Sequence, residues 1–384
     1  MPISKDPVGR KKKRTALLLK GLCCLLVVAA GALVLLATGE RVQDATRAPS
    51  VLEAETAEPD QLAQGKSAVA EIAPPASTES APTTPSSDTE TAFEVVFFAP
   101  WGSAAGQLGR RVPEEGAPEG PKSLVVDSQG RVMILDQVNS RVVIVEDGQA
   151  VGEIGIPAVT FEDLRVDEDG KVILLDRLAR RSIAIIDSNG NLLGELDLEG
   201  LGVSEGGGVT GLFQRRDGTW VEVEHRDLVQ VADSEGRASD ERRRVPGRFW
   251  DRAGSYLVAR LDGPQAAVVG VRSAARPEPG ARLLTRVEFP IRVLHLMALE
   301  SDHSGMIFLA ARLARFAERH PFEVLEERIE VVKLSREGAE LGRVSLPVSP
   351  VALEQFRPFF VTADGTIYHL ALDDHGATLR RVTL

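Results

Sequence analysis

A turn glycine followed by alternating apolar residues recurs six times along this sequence. The two clearest copies are "DSQGRVMILD", around Gly130, and "DEDGKVILLD", 40 residues later around Gly170. Less regular copies stand at Gly218, Gly254, Gly305 and Gly365. Glycine supplies the positive φ that a tight hairpin turn requires, so each copy predicts a strand, a turn and a second strand. A third strand-like segment follows each copy. A period near 40 residues with about four short strands predicts the blade of a β-propeller.

The sixth unit is incomplete, because only 19 residues follow Gly365. The segment 93–99, "FEVVFFA", precedes the first unit and has no hairpin partner nearby. In a ring, this segment can form the outer strand of the last blade and cover its exposed edge. The sequence therefore predicts an all-β, six-bladed β-propeller over 93–384, closed by an N-terminal strand.

The first two units resemble the NHL-repeat family of six-bladed propellers over about 120–198. The matching residues are the D-x-x-G turn, Asp136, Asn139 and Arg141 in the first unit, and Asp176 and Arg181 in the second. The second unit has Ala179 where the first has Asn139. The resemblance implies that these Asp and Arg residues fix blade edges rather than perform chemistry. Such propellers include interaction scaffolds, lyases and lactonase-like hydrolases, so the fold alone does not choose a function.

The N-terminus predicts a membrane anchor. Residues 1–14 are basic, and an apolar run follows over 15–38, interrupted once by Lys20. Its 24 residues are enough for a transmembrane helix. The clustered bases predict a cytoplasmic N-terminus. The alternative is a cleaved signal peptide, whose apolar core is usually shorter. Residues 39–92 are rich in Pro, Ser, Thr and Glu and predict a disordered linker.

Charge and cysteine content restrict the partners. The segment 93–384 carries 35 basic and 45 acidic residues, a net charge of −10, which disfavours nucleic acid. The two cysteines, Cys23 and Cys24, both lie in the apolar run, so no disulfide framework is expected. Arginine far outnumbers lysine in this segment, as in bacteria with GC-rich genomes. We therefore expect a single-pass protein of the bacterial inner membrane, with residues 15–38 in the bilayer and the propeller in the periplasm.

Partner binding is expected in the loops of the face opposite the D-x-x-G turns, because variable loops on a rigid scaffold usually carry binding. The segments 199–211, 242–250 and 311–328 are the longest of these. The last predicts a short amphipathic helix, which either meets a partner or packs on the propeller as a lid. The candidate partner-binding residues are Arg312, Arg315, Phe316, Arg319, His320 and Trp250.

Few residues suggest chemistry. His225, Asp373, Asp374 and His375 are weak candidates for metal ligands, because no pair has the spacing of a recognised site. No catalytic residue and no cofactor can be assigned, since the motifs for nucleotides, zinc proteases and serine hydrolases are missing from the sequence. We expect a membrane-anchored scaffold for protein or glycan partners in the cell envelope.

Two alternatives remain open for this function. One is a metal-assisted hydrolase or lyase with its site at the central channel, where Glu162, Asp163, Arg165 and Arg216 are the residues to consider. The other is a purely structural part of a larger complex.

Overall fold

The computed structural model describes residues 93–250, 254–273, 280–320, 322–349 and 354–384. Over this part of the chain, no helix is long and apolar enough to cross a membrane. The basic tail, the transmembrane helix and the linker expected over 1–92 lie outside the described residues. The six-bladed propeller expected over 93–384 lies largely within them.

Twenty-four strands form six antiparallel sheets of four strands each within the described ranges. The first strands of the six sheets are β2 (Ser123–Val126), β6 (Asp163–Val166), β10 (Val209–Arg215), β14 (Arg248–Phe249), β18 (Arg292–Ser301) and β22 (Phe359–Val361). The second strands are β3 (Val132–Asp136), β7 (Val172–Asp176), β11 (Gly218–Val223), β15 (Ser255–Leu261), β19 (Ile307–Phe316) and β23 (Thr366–Leu372). The third strands are β4 (Arg141–Glu146), β8 (Ser182–Ile186), β12 (Asp227–Ala232), β16 (Ala266–Ser273), β20 (Val324–Leu334) and β24 (Gly376–Thr383). The outer strands are β5 (Gln149–Gly155), β9 (Leu192–Asp197), β13 (Arg244–Val245), β17 (Arg282–Glu288), β21 (Glu340–Pro347) and β1 (Glu94–Pro100).

Each sheet is one blade, and the blades are numbered in the order of their first strands. Blade 1 is β2–β5, and blade 6 is β22–β24 with β1 at its edge. The first strands lie innermost: β2 is beside β6 and β22, and β6 is beside β10. The strand β1 pairs antiparallel with β24, from Glu94 opposite Arg381 to Pro100 opposite Gly376. The predicted closure of the ring by the N-terminal strand is therefore confirmed.

Five of the six turn glycines stand between the first and second strands of their blades, and Gly218 is the first residue of β11. Each has a positive φ, for example 83° at Gly130 and 80° at Gly170. In blade 1 the Asp127 carboxylate accepts from the backbone N–H of Gln129 and of Arg131, both at 2.9 Å. Asp167 does the same in blade 2. The D-x-x-G motif is thus a hairpin turn that aspartate and glycine stabilise together.

Six hydrophobic clusters hold the ring together, and each joins two neighbouring blades. The cluster between blades 6 and 1 includes Phe97 and Ala99 of the closing strand. The cluster between blades 3 and 4 is the smallest, with four buried residues, and it depends on aromatic side chains. There Trp220 meets Phe249 edge to face at a centroid distance of 5.0 Å. The contact between blades 3 and 4 therefore has the fewest buried apolar residues of the six.

The Asp136 network confirms a structural role for the NHL-like residues of blade 1. Asp136 is fully buried and accepts from Asn139 at 2.8 Å and from the Arg141 Nε at 3.0 Å. Arg141 also donates to the backbone oxygens of residues 103, 104 and 107, which fixes the segment after β1. Blade 2 differs, because Arg181 has a φ of 55° and pairs with Glu199 instead of Asp176.

The prediction of a helix within 311–328 is wrong. The segment contains the end of β19 and the start of β20, which form one long hairpin in blade 5. Successive residues from Ile307 to Ala311 are all buried, because both faces of β19 pack against neighbouring strands and blades. A strand buried on both faces lacks the alternating pattern of a half-exposed strand, so its apolar residues can mimic a helical period.

Candidate functional site

The two ends of the central channel differ in the segments that surround them. At one end, here called the turn face, lie the turns between the first and second strands of the blades. At the other, the crossing face, lie the loops between second and third strands and the connections from each blade to the next. This follows from the antiparallel order of strands in every sheet.

A buried ion pair links blades 2 and 6 inside the channel. Arg357 donates to both oxygens of Asp163, from Nε at 3.2 Å and from Nη2 at 3.0 Å. Asp163 also accepts from the Ser123 hydroxyl at 2.5 Å and from the Leu212 N–H at 3.2 Å. Burial raises the pKa of Asp163, but the Arg357 and Arg165 guanidinium groups outweigh burial and hold this pKa below its usual value. Asp163 is therefore an ionised structural anchor that connects four blades.

A second buried ion pair links blades 3, 4 and 5. Arg248 donates to Glu222 from Nε at 2.6 Å and from Nη2 at 2.8 Å. Its Nη1 donates to the Leu299 carbonyl and to Glu300, both at 3.0 Å. Burial raises the pKa of Glu222, but Arg248 and His225 outweigh burial, so the pKa lies well below its usual value. Both channel carboxylates of these pairs therefore stay ionised at neutral pH.

Arg165 has fewer partners than the other two channel arginines. It donates to the Leu164 carbonyl at 2.9 Å and lies 3.8 Å from Asp163. Its guanidinium lies between the rings of Phe213 and Phe360, at 5.5 and 5.6 Å from their centroids. Burial, together with the charge of Arg357, lowers the pKa of Arg165 to about 10. It remains a cation, which the charges of Asp163 and Glu300 and the two aromatic rings stabilise together.

A cavity of about 650 Å³ opens at the turn face, and we call it the funnel. It is lined by residues of blades 3 to 6, among them Phe213, Phe249, Trp250, Glu300, Ser301 and Arg336. Small-molecule sites usually measure about 300–1,000 Å³, so the funnel has the size of a binding site. Arg248 lines both the funnel and a smaller cavity of about 40 Å³ beside Glu222. Arg248 is therefore shared by the walls of both cavities.

Aromatic rings and guanidinium groups alternate around the funnel. The Trp250 indole donates to the Gly305 carbonyl at 2.9 Å, which fixes its orientation. The Arg336 guanidinium lies over this ring, 5.8 Å from its centroid. Arg215 lies over Phe249 at 3.7 Å. Guanidinium groups stacked in this way are held in place with their N–H donors directed sideways, where they can bind anionic or polar ligands.

Two carboxylates supply hydrogen-bond acceptors to the same cavity. Glu300 binds Arg248 through Oε1, and its Oε2 has no donor among the described residues. Asp302 uses Oδ1 for the N–H groups of Ser304 and Met306, and its Oδ2 has no donor in this part of the chain either. The funnel therefore combines acceptors, donors and aromatic surface, which is the equipment of a binding site for a polar ligand.

No protein-family model and no curated protein matches the chain. Several solved structures are similar at low identity. A member of the DUF4221 family from Bacteroides vulgatus is 11% identical, with a TM-score of 0.44, and the match covers 76% of this chain and 98% of the other. The extracellular domain of a hybrid two-component system from B. thetaiotaomicron is 11% identical, with a TM-score of 0.40 and coverage of 76% and 41%. A gluconolactonase from Xanthomonas campestris is 13% identical, with a TM-score of 0.37 and coverage of 74% and 97%.

These similarities concern the fold and carry no information on activity. The six four-stranded blades establish the propeller on their own, whereas membership of the NHL-repeat family is not shown.

Five of the six predicted partner-binding residues lie together on the long hairpin of blade 5. Arg312, Arg315 and Phe316 are on β19, and Arg319 and His320 are in the turn that follows at the crossing face. Arg312 pairs with Glu327 at 2.7 Å and Arg315 with Glu326 at 2.8 Å, both across the hairpin. Their role in partner binding stays a prediction.

Trp250 lies elsewhere. The segment 242–250 was expected to be a loop at the face opposite the turns, but it contains β13 and β14. Because β14 is an inner strand that runs towards its turn, Trp250 is at the turn face, in the wall of the funnel. It is therefore separated from the other five residues.

The candidate metal ligands are not brought together. His225 lies 3.3 Å from Glu222 in blade 3, whereas Asp373, Asp374 and His375 belong to blade 6. Asp373 accepts from the backbone of its own turn, and Asp374 pairs with Arg110 at 3.2 Å. Within the described ranges, no group of three or more His, Cys, Asp or Glu could hold a metal ion. Arg216, named for the alternative of an enzyme, is exposed and pairs with Glu168 at 2.8 Å.

Sequence reasoning missed Glu300, Arg248, Arg336 and Arg357. Their separation along the chain gives no local motif, since each comes from a different strand or turn. Arg248 and Glu300 could have been found from one signal in the sequence. Each is a charged residue on an inner strand, where apolar residues are expected.

Proposed function

We propose that this protein is a membrane-anchored, extracytoplasmic propeller that binds a protein or glycan partner of the bacterial cell envelope, and that the funnel is its binding site. Residues 15–38 would anchor it in the inner membrane with the N-terminus in the cytoplasm, so that the propeller lies in the periplasm.

The funnel is the observation that carries the proposal. Its volume of about 650 Å³, its aromatic wall and the carboxylate oxygens that have no donor among the described residues all suit a ligand. The funnel is also supported from below, because the buried Arg248 pair forms its floor and fixes Glu300. Binding sites of this kind depend on side chains that are already held in position.

The pKa values of the channel carboxylates are more consistent with ligand binding than with acid–base catalysis. A general acid at neutral pH needs a raised pKa, whereas the pKa of Asp163 and of Glu222 is lowered. Burial raises the pKa of Glu162, an effect that Arg177 partly offsets. Glu162 directly precedes β6, at the crossing face, whereas the funnel opens at the turn face.

The proposal is tested by filling the funnel. The full-length protein in detergent is incubated with solubilised cell envelope, and bound material is compared between wild type, Ser301→Trp and Ser128→Trp. Ser301 lines the funnel, whereas Ser128 is exposed in the blade 1 turn of the same face. We expect Ser301→Trp to lose bound protein or glycan that Ser128→Trp retains.

Equal capture by both variants would remove the funnel from consideration. Loss of capture in Phe316→Ser with full capture in Ser301→Trp would place the partner on the hairpin of blade 5 instead.

A further inference from the structure

The geometry points to a carboxylate-bearing oligosaccharide, of the uronic-acid type, as the ligand of the funnel. This inference rests on the proposed function and narrows it from a protein or glycan partner to an acidic glycan. Three features of the funnel lead to it: carboxylate acceptors, one guanidinium without an ion-pair partner among the described residues, and one fixed indole ring.

The acceptors suit hydroxyl groups. Glu300 Oε2 and Asp302 Oδ2 each belong to a carboxylate whose other oxygen is already bound within the described part of the protein. One oxygen fixes the carboxylate and the second is left for a donor from the ligand. Neighbouring hydroxyls of a sugar ring supply donors of this kind, and a charge-assisted hydrogen bond to a carboxylate is stronger than one between neutral groups.

Arg336 supplies the site for a negative charge. Arg336 is exposed, and no described carboxylate lies within ion-pair distance of its guanidinium, although the domain as a whole is acidic. The Trp250 ring beneath it restricts its orientation. A guanidinium with free donors in a fixed plane matches a carboxylate in two-point geometry, so it would bind the carboxyl group of a uronic acid.

Trp250 supplies the apolar surface. The hydrogen bond from its Nε1 to the Gly305 carbonyl holds the indole against the blade 5 turn. A sugar ring has one face composed mainly of C–H groups, which can pack on the part of the indole that stays exposed beside the Arg336 guanidinium. A ligand with this face, with hydroxyl donors and with a carboxylate therefore matches all three features, whereas a peptide lacks the clustered hydroxyls.

The experiment is a calorimetric titration of the full-length protein in detergent with trigalacturonic acid and with its methyl ester. The ester keeps every hydroxyl and ring face and removes only the charge. We expect the acid to bind about tenfold more tightly than the ester, which is the usual strength of one charge-assisted contact at a partly exposed site. Added salt should weaken the binding of the acid and leave the binding of the ester unchanged.

The variant Arg336→Gln tests whether Arg336 is the residue that binds the carboxylate. It should lower the affinity for the acid to that for the ester and leave the ester unchanged. Arg216→Gln is the matched control, because Arg216 is also an exposed arginine in a turn of this face but does not line the funnel. Both ligands should bind this control as they bind wild type.

Equal affinity for acid and ester, or an unchanged preference in Arg336→Gln, would overturn the assignment of an acidic glycan. So would a failure of both sugars to bind. If Ser301→Trp still loses envelope material in that case, the funnel remains a binding site, but its ligand is not an acidic glycan of this type. If Ser301→Trp loses nothing, the proposed function falls as well.

Discussion

Arg357 and Asp163 are 194 residues apart in the sequence and form a two-point ion pair inside the channel, with N–O distances of 3.0 and 3.2 Å. The pair connects the last blade to the second and lies where the inner strands meet. Because Ser123 and the Leu212 N–H bind the same carboxylate, blades 1 and 3 are joined to it too. This part of the channel is therefore a structural hub that joins four blades.

Asp163→Asn should destabilise the propeller by about 3–5 kcal/mol, because it leaves the buried Arg357 and Arg165 without their shared counter-charge. Urea unfolding of the full-length protein, followed by tryptophan fluorescence, measures this. All three tryptophans, Trp101, Trp220 and Trp250, lie in the propeller, so the signal reports that domain alone. Glu168→Gln, which breaks the exposed pair with Arg216, should leave the midpoint unchanged. Equal midpoints for Asp163→Asn and wild type would contradict the role of the pair.

His369 should make the stability depend on pH in the mildly acidic range. Burial, together with the charge of Arg380 on the paired strand, lowers the pKa of His369 to about 3. Its Nδ1 has no hydrogen-bond partner among the described residues. Between pH 6.5 and 3, the unfolded chain binds a proton here and the folded chain does not. Its titration therefore lowers the free energy of unfolding by up to about 1.4 kcal/mol for each unit by which the pH falls.

His369→Leu should reduce the change in unfolding free energy between pH 6.5 and 5, a window above the range in which Asp163 and Glu222 lose their stabilising charge. His295, whose pKa burial also lowers, should keep part of the slope in this variant. Urea unfolding at four pH values in this window gives the slope. His375→Leu, at an exposed position of the same blade, is the control and should keep the slope of wild type. An identical slope in His369→Leu would show that this imidazole does not titrate as expected.

The repeat and the ring closure could be predicted from the sequence because their signals are local. A glycine with positive φ, such as Gly130 or Gly365, marks a turn wherever the blade stands. The closing strand could be found because the last blade lacked a partner that residues 93–99 could supply. These inferences need only strand periodicity and the number of strands per blade.

The funnel could not be predicted, because its chemistry depends on which blades are adjacent and on where short strands end. Trp250 was singled out in the sequence, but β14 has only two residues, and its bounds decide the face on which Trp250 lies. Glu300 and Arg248 are 52 residues apart and meet only across two blades. The blade 5 hairpin misled for a different reason, because burial on both faces hides the alternation of a strand.

Ring closure should depend on the inward face of β1. Phe97 is 7% exposed and packs in the cluster between blades 6 and 1, whereas its neighbour Phe98 is 48% exposed. Phe97→Ala should cost about 3 kcal/mol or more, because it leaves a cavity between the first and last blades. Phe98→Ala should change the stability by about 0.5 kcal/mol or less. Urea unfolding compares the two, and equal losses would mean that the strand does not close the ring through this cluster.

Arg141 should control the order of the segment that follows the closing strand. It binds the carbonyls of Ser103, Ala104 and Gln107, and it is held in turn by the buried Asp136. Arg141→Ala should therefore speed hydrogen exchange over 101–109 at least tenfold while exchange in the inner strands stays slow, because a local opening needs no global unfolding. Arg180→Ala is the matched control, since Arg180 forms only the more exposed pair with Glu195 in blade 2. Unchanged exchange over 101–109 in Arg141→Ala would show that β1 alone, without this network, fixes the segment.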